Sequence, residues 1–234
     1  MRSSLFRFKQ FAVEQSGAAM KIGTDGVLLG AWADVAEVKR VLDIGTGTGV
    51  IALMIAQRSD AEGIIGIDIE ASAAKCAESN FLSSPWSERL QAIQSSVQEY
   101  EGMNFDLIVS NPPYFSDSLL CPDSSRTTAR HTTNLTLQEL DNSVCRMLDK
   151  GHGRFALILP TEQMDRYLAL TRLSVVRRCD IRSRANSEVI RVMAELSFEG
   201  SDAVEVQNLT IYEDESREYT DNYRTLTKDF YLKF

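Results

Sequence analysis

A glycine-rich turn between an apolar strand and an apolar helix constrains the fold of this chain more than any other segment. Residues 41–44 form an apolar run interrupted only by Asp43, and residues 50–56 form a second run typical of a buried helix. The turn between the two runs contains Gly45, Thr46, Gly47 and Gly49. Glycine lets the backbone approach a ligand closely, and the start of a helix offers unpaired N–H groups to an anion. The segment therefore predicts a ligand-binding turn at the edge of a sheet.

A second acidic residue follows at the spacing that a nucleoside requires. Residues 64–67 are apolar apart from glycine and lead to Asp68, 19 residues after Gly49. A carboxylate at this spacing accepts hydrogen bonds from ribose hydroxyls. A dinucleotide-binding turn would have a small residue at position 50, where this chain has Val50. The pattern favours S-adenosylmethionine over NAD, because its methionine carboxylate needs only one loop and its ribose still needs an acid.

A polar and rigid tetrapeptide follows the apolar run at 105–109. It consists of Asn111, Pro112, Pro113 and Tyr114. Proline fixes its own φ and holds the preceding residue extended. We therefore expect the Asn111 amide to face the mouth of the sheet and Tyr114 to offer a flat face nearby. This arrangement suits a planar group with an NH2, such as adenine or a carboxamide, although the tetrapeptide alone is equally typical of an ordinary turn.

Strand and helix patterns alternate along the rest of the chain. Strands are predicted at 40–44, 64–68, 90–94, 105–110, 155–159, 175–181, 190–198 and 206–212, and helices at 49–58, 70–82, 135–149 and 161–173. In the leader, Phe6, Phe8 and Phe11 indicate a strand or hairpin, and Thr24 or Asp25 is expected to cap a helix that runs through Trp32. The alternation predicts an α/β fold: an open, mostly parallel, seven-stranded sheet with helices on both faces and an antiparallel strand near the C-terminus. Its strand ends would bring Gly45, Asp68 and Asn111 together.

We expect a single domain over residues 1–234. Its leader, 1–35, would close on the cofactor, its core would span 36–200, and 201–234 would form a C-terminal extension. The polar segment 116–134 is long enough to be a substrate lid. Asp106 is interpreted as a structural acid at a strand end.

Composition limits the partners and the compartment. The net charge of −8 gives no overall basic field, so a nucleic acid would need local basic patches. The four cysteines lack Cys-x-x-Cys spacing and occur with only two histidines, which argues against a metal site or a disulfide framework. Charged residues interrupt any signal-peptide core in the first 20 residues, and no apolar run approaches the ~20 residues of a membrane helix. We expect a reduced, cytoplasmic and monomeric protein without metal or membrane.

The glycine turn, the acid and the Asn-Pro-Pro-Tyr tetrapeptide, in this order, resemble the Rossmann-like S-adenosylmethionine-dependent methyltransferases, specifically the branch that methylates amino groups. Four further segments, 8–11, 20–26, 128–131 and 229–234, are similar to the enzymes that methylate N6 of the adenine beside the anticodon of a valine tRNA. This resemblance implies tRNA as the substrate.

The resemblance also implies roles for individual residues. Cofactor contacts are implied for Asp43, Gly45, Thr46, Gly47, Gly49, Asp68, Ile69 and Asn111, while Lys21, Thr24, Asp25 and Gly26 would close over the methionine end. Family members usually have an acid near Ser96 and Val97 that meets the cofactor's adenine amino group. Ser96 can still accept a hydrogen bond there, although a weaker one. Arg126, Arg130 and His131 are candidates for RNA contact, the arginines with phosphates and His131 as a hydrogen-bonding loop residue.

The residues also indicate a chemical mechanism. The Asn111 side-chain oxygen and the Pro112 carbonyl would accept the two N–H bonds of an adenine N6 amine, and Tyr114 would stack on the base. Other functions share parts of this pattern. A protein glutamine methyltransferase would carry a helical region before the fold, whereas 40 residues precede Val41. A ribosomal RNA guanine-N2 methyltransferase tends to have a duplicated domain, a DNA adenine methylase needs a large target-recognition domain, and a noncatalytic module would not need an intact tetrapeptide.

Overall fold

Strands and helices alternate through the described part of the chain, as the sequence predicts. The structure is a computed structural model and describes residues 5–16, 21–113, 135–201 and 203–233. Its strands are β1 (Leu5–Arg7), β2 (Ala12–Glu14), β3 (Arg40–Ile44), β4 (Gly63–Asp68), β5 (Leu90–Gln94), β6 (Leu107–Ser110), β7 (Arg154–Leu159), β8 (Ser174–Arg182), β9 (Val189–Ser197) and β10 (Glu205–Thr210). Its α-helices are α1 (Thr24–Trp32), α2 (Val50–Arg58), α3 (Ala71–Leu82), α4 (Leu137–Met147), α5 (Thr161–Leu170) and α6 (Asp221–Thr227).

One large sheet organises the fold, and its strand order is β10-β8-β9-β7-β6-β3-β4-β5. Only β9 runs antiparallel to its neighbours within this sheet, which confirms the mostly parallel α/β prediction. The predicted strand number was wrong, because the described sheet has eight strands and not seven. The eighth strand is β10, which corresponds to the strand predicted at 206–212 and pairs in parallel along Arg177–Arg182 of β8. Strand β8 has nine residues and is long enough to pair with β10 at this edge of the sheet.

Both faces of the central strands are covered by helices. Strand β6 is buried along its whole length, and β3 is buried from Val41 onward. Side chains of α1 and α2, including Leu28 and Leu53, fill the core on one face. Side chains of α4 and α5, including Leu140 and Tyr167, fill the core on the other. Each fully buried leucine contributes about 1.5–3 kcal/mol, so the two cores fix the central strands firmly.

The leader forms the predicted hairpin, in which β1 pairs antiparallel with β2. Phe8 stacks on Phe11 with ring centroids 4.6 Å apart, and on Tyr231 at 6.0 Å. The Lys9 N–H donates to the Phe230 carbonyl at 2.8 Å. The two ends of the chain therefore pack against each other. Trp32 is also buried, in agreement with its interpretation as a packing residue.

Helix ends were predicted less accurately than helix positions. The capping residue of α1 is Gly23, which makes no side-chain cap bond, so the predicted cap at Thr24 or Asp25 was wrong. Asp25 instead accepts a hydrogen bond from Arg191. Helix α4 does begin with the predicted Thr136 cap, as a reciprocal capping box with Glu139.

Helix α5 is shorter than predicted. It ends at Leu170 and not at residue 173. The hydroxyl of the next residue, Thr171, donates to the buried Asp141 carboxylate at 2.5 Å. The backbone of Thr171 is extended, so the helix ends before it, and its side chain bonds to Asp141 of α4.

We expect Gly49→Ala to destabilise the protein by about 2–5 kcal/mol, from left-handed strain and overpacking together. Gly49 has a φ of 81°, and an ideal Cβ there would lie 2.4 Å from Phe81 Cε1. Urea unfolding measures the change. Gly63→Ala is the control, because a Cβ at Gly63 meets nothing within 4 Å and should change stability by less than ~0.5 kcal/mol. Equal stability of the two variants would contradict this account of the turn.

Candidate active site

The carboxyl ends of β3, β4 and β6 bring the predicted site residues to one edge of the sheet. Ile44 of β3 pairs with Ser110 of β6 on one side and with Ile67 of β4 on the other. The Ser110 hydroxyl also donates to the Ile44 carbonyl at 3.0 Å. Gly45 and Asn111 follow directly after these paired positions. The strand order changes direction here, because β4 and β5 lie on one side of β3, and β6 and β7 lie on the other. Open α/β sheets bind ligands at such a switch point.

The glycine turn is held by backbone bonds and is open on its outer side. The N–H groups of Gly45 and Thr46 donate to the Ile67 carbonyl at 2.9 and 3.0 Å. Gly45 and Gly47 have φ of 72° and 56°. An ideal Cβ at Gly45 would meet nothing within 4 Å, and one at Gly47 would approach only a backbone oxygen at 4.0 Å. Backbone therefore faces open space here, as a closely approaching ligand requires.

A buried carboxyl group lies beneath the turn. Asp43 is fully buried, and its Oδ2 accepts a hydrogen bond from the Thr46 hydroxyl at 2.7 Å. Its Oδ1 is also buried and has no hydrogen bond of ordinary geometry to a described residue. Burial raises the pKa of Asp43 to about 7, with a smaller contribution from the charge of Asp68, although the Thr46 hydroxyl and the Ala52 N–H favour the ionised form.

Gly66 makes this arrangement possible, and sequence reasoning missed it. An ideal Cβ at Gly66 would lie 2.6 Å from the Thr46 hydroxyl oxygen. Any side chain on β4 at this position would push Thr46 away from Asp43. The signal was present in the sequence as an isolated glycine inside a strand pattern, which marks close approach of another group.

Asp68 faces the turn from the end of β4. Its Oδ2 accepts from the Gly47 N–H at 2.9 Å, and its Oδ1 accepts from the Glu70 N–H at 3.0 Å. A carboxylate has about four acceptor positions, so further acceptor capacity remains for hydroxyl groups. The neighbouring Ile69 is 47% exposed and presents an apolar surface beside the carboxylate.

The segment after β5 lies beside Asp68, since the Ser95 N–H donates to the Asp68 carbonyl at 3.0 Å. The Ser96 hydroxyl donates to Glu99 Oε2 at 2.9 Å, and Val97 is buried. Position 96 carries no acid, but Glu99, which was not predicted as a site residue, brings a carboxylate within reach of Ser96. The Ser-x-x-Glu spacing is the signal that could have identified it.

The leader reaches the same edge from the other side. An ideal Cβ at Gly26 would lie 3.7 Å from the Asn111 amide nitrogen and 3.6 Å from Val50 Cγ1. Asn111 is half-buried and Pro112 is buried, whereas Pro113, Lys21 and Thr24 are exposed. Helix α1 therefore lies directly against the predicted catalytic amide. Tyr114, Arg126, Arg130, His131 and the lid predicted at 116–134 lie outside the described residues.

A buried asparagine that the sequence analysis did not single out joins the leader to the glycine turn. Asn80 of α3 donates to the carbonyl oxygens of Glu14 and Thr48 at 3.0 and 2.9 Å. Its own oxygen accepts from the Glu14 N–H at 2.8 Å. One side chain thus fixes β2 and the turn relative to each other, and its satisfied amide explains a polar residue in the core.

Asp106 is a structural residue, as predicted. Its Oδ2 accepts from the N–H groups of Lys39 and Arg40 at 2.7 and 2.8 Å. These residues precede β3 or begin it, so Asp106 lies at the edge of the sheet opposite the candidate site. Burial raises its pKa, but the N–H groups of Arg40 and Lys39 outweigh burial and lower it.

The described residues contain neither a bilayer-spanning helix nor a group of metal-ligating side chains. None of the helices in the described ranges is both long and apolar enough to span a bilayer. No three His, Cys, Asp or Glu side chains in those ranges are grouped so that they could hold a metal ion.

The proton on Asp43 predicts a pH dependence of stability. Since the folded protein binds this proton more tightly than the unfolded chain does, wild type should lose stability relative to Asp43→Asn as pH rises from 3.8 to about 7, with no further loss above that. Urea unfolding from pH 4 to 8 measures the difference. Asp106 is the control of opposite sign: relative to Asp106→Asn, wild type should lose stability only as pH falls to 3.8 and below. A flat difference for Asp43 would contradict its elevated pKa.

Comparison with known families and structures identifies the kind of protein. Residues 16–126 match the family model described as the methyltransferase small domain. Among solved structures, a predicted O-methyltransferase from Agrobacterium tumefaciens superposes with a TM-score of 0.66 and 18% identity, covering 88% of this chain and 96% of that one. An S-adenosylmethionine-dependent O-methyltransferase from Thermotoga maritima gives a TM-score of 0.55 at 18% identity, covering 79% of this chain and 68% of that one. These two likenesses support the fold.

Curated relatives match the whole chain. The tRNA1(Val) (adenine(37)-N6)-methyltransferase of Parabacteroides distasonis is 43% identical over 100% of both chains. The protein of the same name from Aeromonas salmonicida is also 43% identical, over 99% of both, and that from Bacteroides thetaiotaomicron is 40% identical over 99% of both. On this full-length identity, the chain belongs to the tRNA1(Val) (adenine(37)-N6)-methyltransferase family.

Proposed function

We propose that this protein transfers a methyl group from S-adenosylmethionine to N6 of an adenine in tRNA, the adenine 3′ of the anticodon of tRNA1(Val). The observation that carries the proposal is the position of Asn111 at the carboxyl end of β6, beside both the glycine turn and Gly26 of α1. Full-length identity of 43% to proteins named for this activity supports the substrate.

The residues at the sheet edge fit S-adenosylmethionine. Gly45 and Gly47 present bare backbone to open space, Asp43 has a buried oxygen without a conventional partner, and Asp68 retains acceptor capacity. The glycine turn and the start of α2 would hold the methionine end, with Asp43 as an acceptor for its ammonium. Asp68 would accept from the ribose hydroxyls, and Ile69 and Val97 would flank the adenine. When bound, the cofactor supplies the methyl group that is transferred.

Asn111 and Pro112 would orient the acceptor nitrogen. The N6 amine of adenine is a weak nucleophile, because its lone pair is delocalised into the ring. Acceptance of its two N–H bonds by the Asn111 oxygen and the Pro112 carbonyl favours a pyramidal nitrogen with its lone pair directed at the methyl carbon. Because Asn111 is half-buried and Pro112 is buried, fewer water molecules compete for these acceptors, which strengthens the bonds. The lone pair would form the new N–C bond as the S–C bond of the cofactor breaks, and the surplus proton on nitrogen would pass to water without a dedicated base.

The tRNA would be recognised through its loop and through local positive charge. A base next to the anticodon is already in a single-stranded loop, so moving it out of the stack costs little. With a net charge of −8, the protein disfavours nonspecific RNA. We propose that Arg126 and Arg130 contact phosphates that flank the target, that His131 hydrogen-bonds in the same loop, and that Tyr114 stacks on the flipped base.

Mass spectrometry of nucleosides tests the function. Purified protein incubated with labelled cofactor and valine tRNA should produce N6-methyladenosine, located to the position 3′ of the anticodon by nuclease fragmentation. The matched control is the same tRNA with guanosine at that position, which should remain unmethylated. Methylation of a peptide glutamine, or of a guanine N2 in ribosomal RNA, with none on tRNA, would contradict the proposal and favour the alternative substrates.

Two variants should separate chemistry from cofactor binding. Asn111→Ala should lower turnover by about 10²–10³-fold, the range for removing one preorganised polar group from a reaction centre, and leave cofactor affinity nearly unchanged. Asp68→Ala should weaken cofactor binding by ~1.5–3 kcal/mol, the contribution of hydrogen bonds to a charged group. Single-turnover kinetics and calorimetry measure the two effects. Near-normal turnover for Asn111→Ala, or unchanged cofactor affinity for folded Asp68→Ala, would refute the corresponding role.

A further inference from the structure

Arg191 lies at the edge of the sheet that carries the candidate site. Because β9 runs antiparallel to β7, its first residues are level with the carboxyl ends of the parallel strands. Val192 pairs with Leu159, two residues beyond the Leu157 that pairs with Ser110. Arg191 is therefore level with the residues that follow β6, and β7 lies between the two strands.

The strand that carries Arg191 is not adjacent to the strand that leads to Asn111. Strands β9 and β6 are two strand spacings apart, roughly 10 Å in the plane of the sheet. The Arg191 guanidinium instead reaches α1. The Nε–H donates to Asp25 Oδ2 at 2.9 Å, while the Nη1–H donates to the carbonyl of Ile190 at 2.7 Å. Two bonds in different directions fix the planar group, as lysine could not do.

The Arg191–Asp25 pair is shielded more than an ordinary surface ion pair. The two side chains are 25% and 24% exposed. By contrast, Arg166 and Glu162 form an i,i+4 ion pair of similar length, 2.8 Å, with side chains 45% and 80% exposed. Lower exposure means weaker solvent screening, so the loss of one partner from the first pair has the greater effect.

Asp25 transmits this restraint to the site. It lies in the first turn of α1, which has no side-chain cap at Gly23. The next residue is Gly26, whose Cα faces the Asn111 amide. Glycine is tolerated at the cap position but offers no side-chain acceptor to the first N–H groups of the helix. The Asp25 carboxylate also interacts favourably with the positive end of the α1 dipole. The ion pair therefore holds the first turn of α1 at the distance from Asn111 that the site requires.

We infer that Arg191 is a positioning residue of the active site, which holds Asp25 and through it the start of α1 against Asn111. The inference rests on the proposed methylation of tRNA. It gives Asp25 a contact with Arg191 in addition to the closure over the cofactor that the resemblance implies.

Steady-state kinetics on tRNA, cofactor calorimetry and thermal melting of the full-length protein test this role. Arg191→Gln should lower kcat about tenfold, equivalent to ~1.4 kcal/mol, and raise KM for tRNA, while cofactor affinity stays within about threefold. Asp25→Asn/Arg191→Gln should lose no more kcat/KM than Arg191→Gln alone, because the two substitutions break the same contact. Arg191→Lys should be intermediate. Arg166→Gln is the matched control and should keep wild-type kcat and KM.

Three outcomes would overturn the inference: wild-type kinetics in Arg191→Gln, additive losses in the double variant, or the same losses in Arg166→Gln. Should Arg191→Gln not remain folded at the assay temperature, Asp25→Asn carries the test, and wild-type kcat in that variant would overturn the inference.

Wild-type protein that does not methylate tRNA would count against the proposed function and not against the ion pair. In that case hydrogen exchange at the amides of residues 24–27 decides. Faster exchange in Arg191→Gln than in Arg166→Gln supports the positioning role, and equal exchange overturns it.

Discussion

The hydrogen bond between the Thr46 hydroxyl and the buried Asp43 carboxyl group is the interaction on which the site depends. It fixes the glycine turn from below, so that the outer side of the turn can remain bare backbone. The bond requires Gly66, because a Cβ on β4 would occupy the position of the Thr46 side chain. A surface without side chains at Gly45 and Gly47 is thus maintained by a packed interior that includes a residue on the neighbouring strand.

The site is acidic within an acidic protein, yet the cofactor and the RNA impose opposite electrostatic demands. Asp43 and Asp68 suit a cofactor with a sulfonium and an ammonium group, whereas a polyphosphate chain is repelled by uncompensated carboxylates. The protein meets both demands by burying its carboxyl groups or bonding them to its own donors. Asp43 is fully buried under the turn, Asp68 bonds to the Gly47 and Glu70 amides, and Asp25 is paired with Arg191. Each of these carboxyl groups is therefore buried or bonded to a donor of the protein, which weakens the repulsion that a polyphosphate chain would meet.

Sequence patterns predicted the elements whose cause is local. The strand at 90–94 has the predicted bounds, and the Thr136 cap is read directly from four consecutive residues. The contacts that could not be predicted join distant parts of the chain: Asn80 reaches Glu14 across 66 positions, and Arg191 reaches Asp25 across 166. The predicted cap of α1 was wrong for the same reason, because Asp25 bonds to Arg191, a residue that is distant in the sequence. Periodicity reports which face of an element is buried, but not which polar group meets it there.

The packing of Phe8 and Lys9 against Phe230 and Tyr231 bears on how this protein is made. The hairpin leaves the ribosome long before Phe230 and Tyr231, its packing partners, are synthesised. At 5–20 residues per second, the hairpin waits roughly 10–40 s for them. During that time the parallel core can assemble, while the hairpin exposes aromatic side chains that a chaperone would recognise. Docking of these late residues on the hairpin, rather than collapse of the core, thus completes this part of the native packing.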